Sequence, residues 1–327
     1  MDQRAAKTVR NRASLTATAV IFAAAIAGLA ISQPVSADGA AEGGASTRNL
    51  LELRAVGMRF EGPHEIPSGW VTIRLDNLSG MEHFALIDRL PPGVTVEMMA
   101  SEVAVPFQRG MDLINAGEPE AAGEAFGALP EWMGDIVYMG GPGLLSAGKS
   151  ADATVYLEPG RYMIECYIKT NGIFHTTGPQ PGQPGMVHEL VVTDKPGGAA
   201  EPDANVTLAI STAGFEIVAG EFRPGRNTIR ANFRDQHIYP NFVGHDAHVI
   251  RVDEDTDLEA VAAWMDWRDP KGFETPAPAV FLGGVNDMPA GTTTYFSVDL
   301  EPGDYAFVAE VPAPHEHGLL LRFAVAE

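Results

Sequence analysis

Between Leu157 and Met186 the chain reads LEPGRYMIECYIKTNGIFHTTGPQPGQPGM, which places a thiol, an imidazole and a thioether within one short stretch. The thiol is Cys166, the only cysteine of the 327 residues, and His175 and Met186 follow it. Soft sulfur together with imidazole suits copper, with two histidines and a cysteine in a trigonal plane and a weak axial methionine. The further histidine that such a set needs is His83, which opens the apolar run HFALI. His83, Cys166, His175 and Met186 thus form a coherent donor set. Each residue alone also has a plainer reading: Cys166 as a small buried hydrophobe, Met186 as core, the histidines as surface groups. His188 lies two residues beyond Met186, on the same face of an alternating strand, and is an alternative ligand.

The elements that must position these groups are strands and turns. Leu157 to Gly160 is a strand end and a tight turn, with Pro presetting one dihedral and Gly supplying freedom. Residues 161–168 read as a strand, and Asn171-Gly172 and the Gly/Pro-rich run 178–185 as loop. The thiol therefore sits near a strand end, and the imidazole and thioether lie in the loop beyond it. Other strands are expected at 49–55, 70–75, 83–87, 151–157 and 187–193, separated by turn residues as in a β-sandwich. Residues 94–131, rich in Met, Ala, Glu and Leu at helical spacing, interrupt them as an inserted helical excursion.

Beyond the Pro/Gly/Ala run 195–203 the pattern begins again, with strands expected at 206–210, 227–233, 248–252, 293–300, 305–311 and 319–325, and a short helix at 257–265. The second series repeats the first. Gly140-Gly141, Gly148, Leu157-Glu158-Pro159-Gly160 and Tyr162 match Gly283-Gly284, Gly291, Leu300-Glu301-Pro302-Gly303 and Tyr305 at a constant offset of 143 residues. Agreement in one register at so many points marks an internal repeat. The expected layout is an all-β protein of two tandem Greek-key β-sandwich domains with short helical insertions: 48–194, a linker at 195–203, and 204–327. In the second half Ala309 stands where Cys166 stands, and Leu319 where Met186 stands, so the sulfur donors are gone. That half keeps His237, His245, His248, His315 and His317. Of these, His248, His315 and His317 are a candidate all-nitrogen site for Cu(II) or Zn(II). The alternative is that they are solvated relics of a lost site.

An early histidine after a strand, His83 at the end of NLSGMEH, a PGxYxxxC strand, a later His and a Gly-Met pair together resemble the cupredoxin family, the plastocyanin- and azurin-like blue copper proteins. Both halves resemble it in outline. The resemblance implies one type 1 copper per chain, with His83, Cys166 and His175 equatorial and Met186 axial. It departs from the family in its longer loops, with eight residues between Cys166 and His175 and ten between His175 and Met186. Multicopper oxidases and nitrite reductases are similar to each other in placing a His directly beside the copper cysteine; here the neighbours are Glu165 and Tyr167.

Composition narrows the function classes. The formal net charge of −21 argues against nucleic-acid binding, which needs a basic footprint. There is no G-x-S-x-G, no H-E-x-x-H and no phosphate loop, so an enzyme is not expected. Arg4, Lys7, Arg10 and Arg12 precede an uncharged, mostly apolar run at 15–31 and the small residues Val35-Ser36-Ala37. This reads as a signal peptide over 1–37, then a flexible tether over 38–47; an uncleaved anchor is the alternative. Cleavage implies a periplasmic or secreted protein with no stable membrane insertion. Export would expose a lone thiol to oxidising conditions, where a metal is one way to hold it. The expected role is one-electron transfer with unidentified redox partner proteins. A periplasmic copper binding or delivery protein and a metal-free structural or interaction module are the alternatives.

Overall fold

The computed structural model describes residues 49–327. The signal peptide and tether expected at 1–37 and 38–47 lie outside the described residues. Among the described residues no helix is long and apolar enough to cross a membrane.

The described residues are all-β apart from short helices, and the internal repeat is a repeat of topology. In the first half Leu50–Ala55 pairs in parallel with Glu65–Asn77, which pairs antiparallel with Ser150–Leu157. In the second half Val206–Ser211 pairs in parallel with Gly225–Phe233, which pairs antiparallel with Thr293–Leu300. Facing these strands, the first half has Leu86–Arg89, Gly160–Glu165 and Val187–Pro196, joined antiparallel. The second half has Phe281–Val285, Ala247–Val252, Gly303–Val308 and Leu320–Val325 in the same order of connection. Alternation builds the core between the layers: in Leu50–Ala55, Leu51, Leu53 and Ala55 are fully buried while the residues between them are not.

Side chains repeat as well. Tyr162 donates its hydroxyl proton to the Glu158 carbonyl at 2.8 Å, and Tyr305 does the same to Glu301 at 2.9 Å. Arg89 bonds Glu158 at 2.8 Å, and Arg251 bonds Glu301 at 2.9 Å. Gly141 and Gly284 both have positive φ, and at each a Cβ would lie 2.1 Å from the carbonyl oxygen of Ala85 or Ala247 respectively. Only glycine allows that approach of strand to strand.

Two features differ from the expected layout. Strand Val187–Pro196 runs into the segment read as a linker, and the described residues 49–327 fall within one compact unit. The halves are fused by direct pairing of Thr293–Leu300 with Ser150–Leu157, in the register Tyr295↔Thr154, Phe296↔Ala153 and Ser297↔Asp152. An added strand, Gly214–Gly220, forms an edge beside Val206–Ser211. The helical excursion is present as Val105–Asn115 and Pro119–Phe126, preceded by a π-helical turn at Met99–Ala104.

Asp152 locks the seam between halves. It bonds Arg74 of the first half at 2.8 and 2.9 Å, and Arg226 of the second. Burial alone would raise its carboxyl, but the two guanidinium groups outweigh that and hold it below the usual carboxylate range. A depressed folded pKa gives stability that is present above the unfolded value near 3.9 and lost as pH falls through the folded value. Asp152→Asn is expected to cost about 1–2 kcal/mol at neutral pH, since both arginines stay partly hydrated. The deficit should shrink below about pH 4; urea unfolding of both proteins across pH checks this.

Candidate metal centre

Each donor is delivered by a backbone that the sequence shapes locally. Strand Gly160–Glu165 ends one residue before Cys166. The Cys166 N–H donates to the Met186 carbonyl at 3.2 Å, and the Met186 N–H donates to the His175 carbonyl at 2.6 Å, so the three positions are stapled together. His83 follows a turn built by Asn77. The Asn77 amide donates to the carbonyls of Met81 and Leu145 at 2.8 and 2.9 Å and accepts from the Ser79 N–H at 3.1 Å. His83 then exchanges backbone hydrogen bonds with Leu145 at 3.1 and 2.8 Å.

The result is a compact cluster. Cys166 Sγ lies 3.5 Å from His83 Nδ1 and 3.8 Å from His175 Nδ1, and the three donor atoms are all within 4.8 Å of one another. All three side chains are fully buried, as is Met186. The imidazoles lie tilted at 54° with centroids 5.0 Å apart. Burial pushes the His83 imidazole down to about 4, with the Gly57 carbonyl opposing only in part. Burial, with His83 beside it, takes His175 to about 3. Both rings are therefore neutral at physiological pH, the form that ligates a metal. Burial pushes the Cys166 thiol up to about 12, against the N–H groups of Phe84 and Ile168, which favour thiolate. A metal must displace this proton, and the waiting N–H donors would stabilise the thiolate once it forms.

The tautomers fit as well. His175 Nε2 is 2.9 Å from Thr170 Oγ1. With Nε2–H donating to that hydroxyl, the Nδ1 lone pair faces Sγ. Two imidazole nitrogens and one sulfur, buried and convergent, match the trigonal donor set of type 1 copper. Thr170→Val keeps the shape and removes the hydroxyl. It is expected to lower copper affinity about 10–100-fold with the fold intact, as measured by competition with a copper chelator.

The long loop is held by partners that sequence reading missed. Residues Lys169–Thr170 and Ile173–Phe174 form a small hairpin. Lys169 N–H donates to Phe273 O at 2.7 Å, and Thr275 N–H donates to Lys169 O at 3.0 Å. The Glu274 carboxylate accepts from the N–H groups of Asn171 and Gly172. On the other side Gln108 accepts from the Phe174 N–H at 2.9 Å and donates to the Gly172 carbonyl at 3.0 Å. The second half and the helical excursion thus clamp the ligand loop. No local signal marked these residues, because their partners are distant in sequence.

The remaining candidates are not brought to this cluster. His188 stacks on His64 and its Nε2 is 2.9 Å from the Pro63 carbonyl, so it is engaged elsewhere. His315 and His317 are exposed on the turn Pro314–His317, whereas His248 is fully buried. The structure therefore does not assemble the all-nitrogen site His248, His315 and His317. His248 instead belongs to a buried group with Asp246 and Glu310. Its Nδ1 accepts from the Leu144 N–H at 3.0 Å, so Nε2 carries the proton toward Asp246 Oδ2 at 2.8 Å. Both nitrogens are engaged, which leaves His248 no lone pair for a metal. The vestige of the first-half site remains in the backbone: Ala309 N–H donates to Leu319 O at 3.0 Å, as Cys166 does to Met186.

No family model matches the chain, and no curated protein matches it. Among solved structures, auracyanin from Roseiflexus castenholzii is 14% identical over 39% of this chain and 100% of its own, at a TM-score of 0.28. Auracyanin A, a "blue" copper protein from Chloroflexus aurantiacus, is 21% identical over 44% of this chain and 97% of its own, at 0.24. The copper nitrite reductase of Nitrosomonas europaea is 14% identical over 85% of this chain and 94% of its own, at 0.21. At such scores the matches carry no argument of their own; the donor geometry and the repeated topology do. In its two β-sandwich halves the chain is cupredoxin-like in fold.

Proposed function

We propose that this protein is an exported, single-copper electron carrier in which the first half holds the metal and the second half braces it. The observation that carries the reading is the buried convergence of His83 Nδ1, Cys166 Sγ and His175 Nδ1, with Met186 stapled beside them. Copper held there would supply a one-electron couple between Cu(I) and Cu(II). The chain's own part is to fix the donors and keep water out. Thr170 orients His175, Asn77 shapes the turn that delivers His83, and Phe273 and Glu274 hold the loop. A cage braced from two sides changes little between oxidation states, which favours fast electron exchange.

The periplasmic or secreted location rests on the N-terminal sequence, and the absence of substrate chemistry on Glu165 and Tyr167 as the neighbours of Cys166. The acidic surface, at −21 overall, favours redox partners with a positive docking face. The reading is tested by potentiometric titration of the copper-loaded protein. Reversible reduction and reoxidation by one electron, with copper retained, is the expected result. Release of copper on reduction would make it a delivery protein instead.

A further inference from the structure

Beside the copper ligands lies a second feature that the electron-transfer reading does not use. A cavity of about 80 Å³ opens between the helical excursion and the second half. Its walls are apolar and aromatic, with Phe107, Phe242 and Trp267 packed edge to face or tilted at 5.5–5.7 Å. Phe242 is 37% exposed and holds a positive φ of 65°.

Two polar side chains in this cavity hold acceptors without partners, although the hydroxyls of Tyr138, Tyr167 and Thr176 also line it. Asp88 is fully buried, lines the cavity, and neither carboxylate oxygen has a hydrogen-bond partner. Asn241, also fully buried and in the lining, has an unpartnered Oδ1. Its orientation is fixed, because its Nδ2 donates to the Glu310 carbonyl at 3.1 Å and the flipped amide would set two oxygens together. Asp287 and Glu165 add further carboxyl groups to the lining, and no lysine or arginine lines it. Buried acceptors left unpaired cost free energy, and burial raises the Asp88 and Asp287 carboxyls above the usual range, as expected of acids with no cation beside them.

We propose that this cavity binds a small organic ammonium ion, whose N–H groups pair with Asp88 and Asn241 and whose apolar body lies against Phe107, Phe242 and Trp267. An ammonium group offers several donors and a positive charge, which is what the carboxylates and the amide oxygen lack. Aromatic faces stabilise such a cation further. A bare divalent ion would need a shell of six or more oxygens, and these mostly apolar walls do not provide one. The negative charge of the whole chain would draw cations toward the cavity mouth.

The test is calorimetric titration of the full-length chain with propylammonium chloride, beside 1-propanol as the neutral isostere and magnesium chloride as the inorganic cation. One propylammonium per chain is expected, with the alcohol at least about tenfold weaker, a difference of one charge-assisted hydrogen bond. Asp88→Asn should weaken the amine about tenfold or more while leaving the circular dichroism spectrum and unfolding temperature near those of the parent. Phe242→Ala, at the rim, should weaken it about threefold or more through lost cation–π and apolar contact. Equal binding of amine and alcohol, no binding of the amine at millimolar concentration, or displacement of the amine by equimolar magnesium would each overturn the proposal. So would unchanged affinity in Asp88→Asn. None of these readouts needs copper, so the outcome is independent of the electron-transfer reading.

Discussion

Cys166→Ser is expected to abolish the intense thiolate-to-copper absorption of the copper-loaded protein and to leave at most a weakly coloured, weakly held copper. Cys166 Sγ is the one donor of this cluster that can become a soft anion; the other two are neutral imidazoles. A serine hydroxyl keeps its proton at neutral pH and is a poor ligand for either copper oxidation state. The substitution is nearly isosteric at a fully buried position, so the fold should survive it. The pH dependence separates parent from variant as well. The parent thiol stays protonated until about pH 12 without metal, so copper binding must release that proton. Copper affinity should therefore rise about tenfold per pH unit across the neutral range. Below about pH 4 the dependence should steepen as protons compete for His83 and then His175. In Cys166→Ser the thiol-linked slope disappears. Copper titrations at several pH values, followed by absorption and by proton release, check both statements.

Phe273→Ala is expected to give the largest loss of stability from one side chain near the site, about 3–5 kcal/mol. The ring is fully buried between Trp264 at 4.9 Å, Tyr167 at 6.1 Å and Phe84 at 6.1 Å. Tyr167 and Phe84 are the chain neighbours of Cys166 and His83, so the void opens directly behind two donors. The loss should appear in denaturant unfolding. In copper-loaded protein it should appear also as a shifted and broadened absorption band, because the donors gain freedom. Phe273→Leu fills most of the space and should recover most of both. If Phe273→Ala unfolds like the parent, the second half does not brace the site through this ring.

Much of the site was legible because its information is local. Cys166 at a strand end, His175 and Met186 in the following loop, and the Asn77 turn before His83 are all set by nearby residues, and periodicity and turn chemistry report nearby residues. The repeat was legible for a similar reason: Tyr162 and Tyr305 close the same Leu-Glu-Pro-Gly turn onto Glu158 and Glu301. What could not be read was long-range. The Glu274 carboxylate reaches Gly172 across 102 positions, and Thr154 meets Tyr295 through strand pairing that leaves no pattern in either segment. The pairing of the two halves into one sheet was hidden for that reason. The histidines His315 and His317 misled because spacing alone suggested ligands, whereas the turn Pro314–His317 faces them to solvent. His248 lies on a strand, as expected, but it is buried, and its partners, Asp246 and the Leu144 N–H, occupy both its nitrogens. Strand Gly214–Gly220 was missed because its burial does not alternate; it is a mostly exposed edge.

Visible absorption and electron paramagnetic resonance of the protein loaded with one equivalent of Cu(II) test the copper assignment most directly. One tightly held copper per chain, an intense visible band and a compressed copper hyperfine splitting are the expected result. A colourless protein, or a Cu(II) spectrum of ordinary tetragonal type that does not change when Cys166 is replaced, would contradict it.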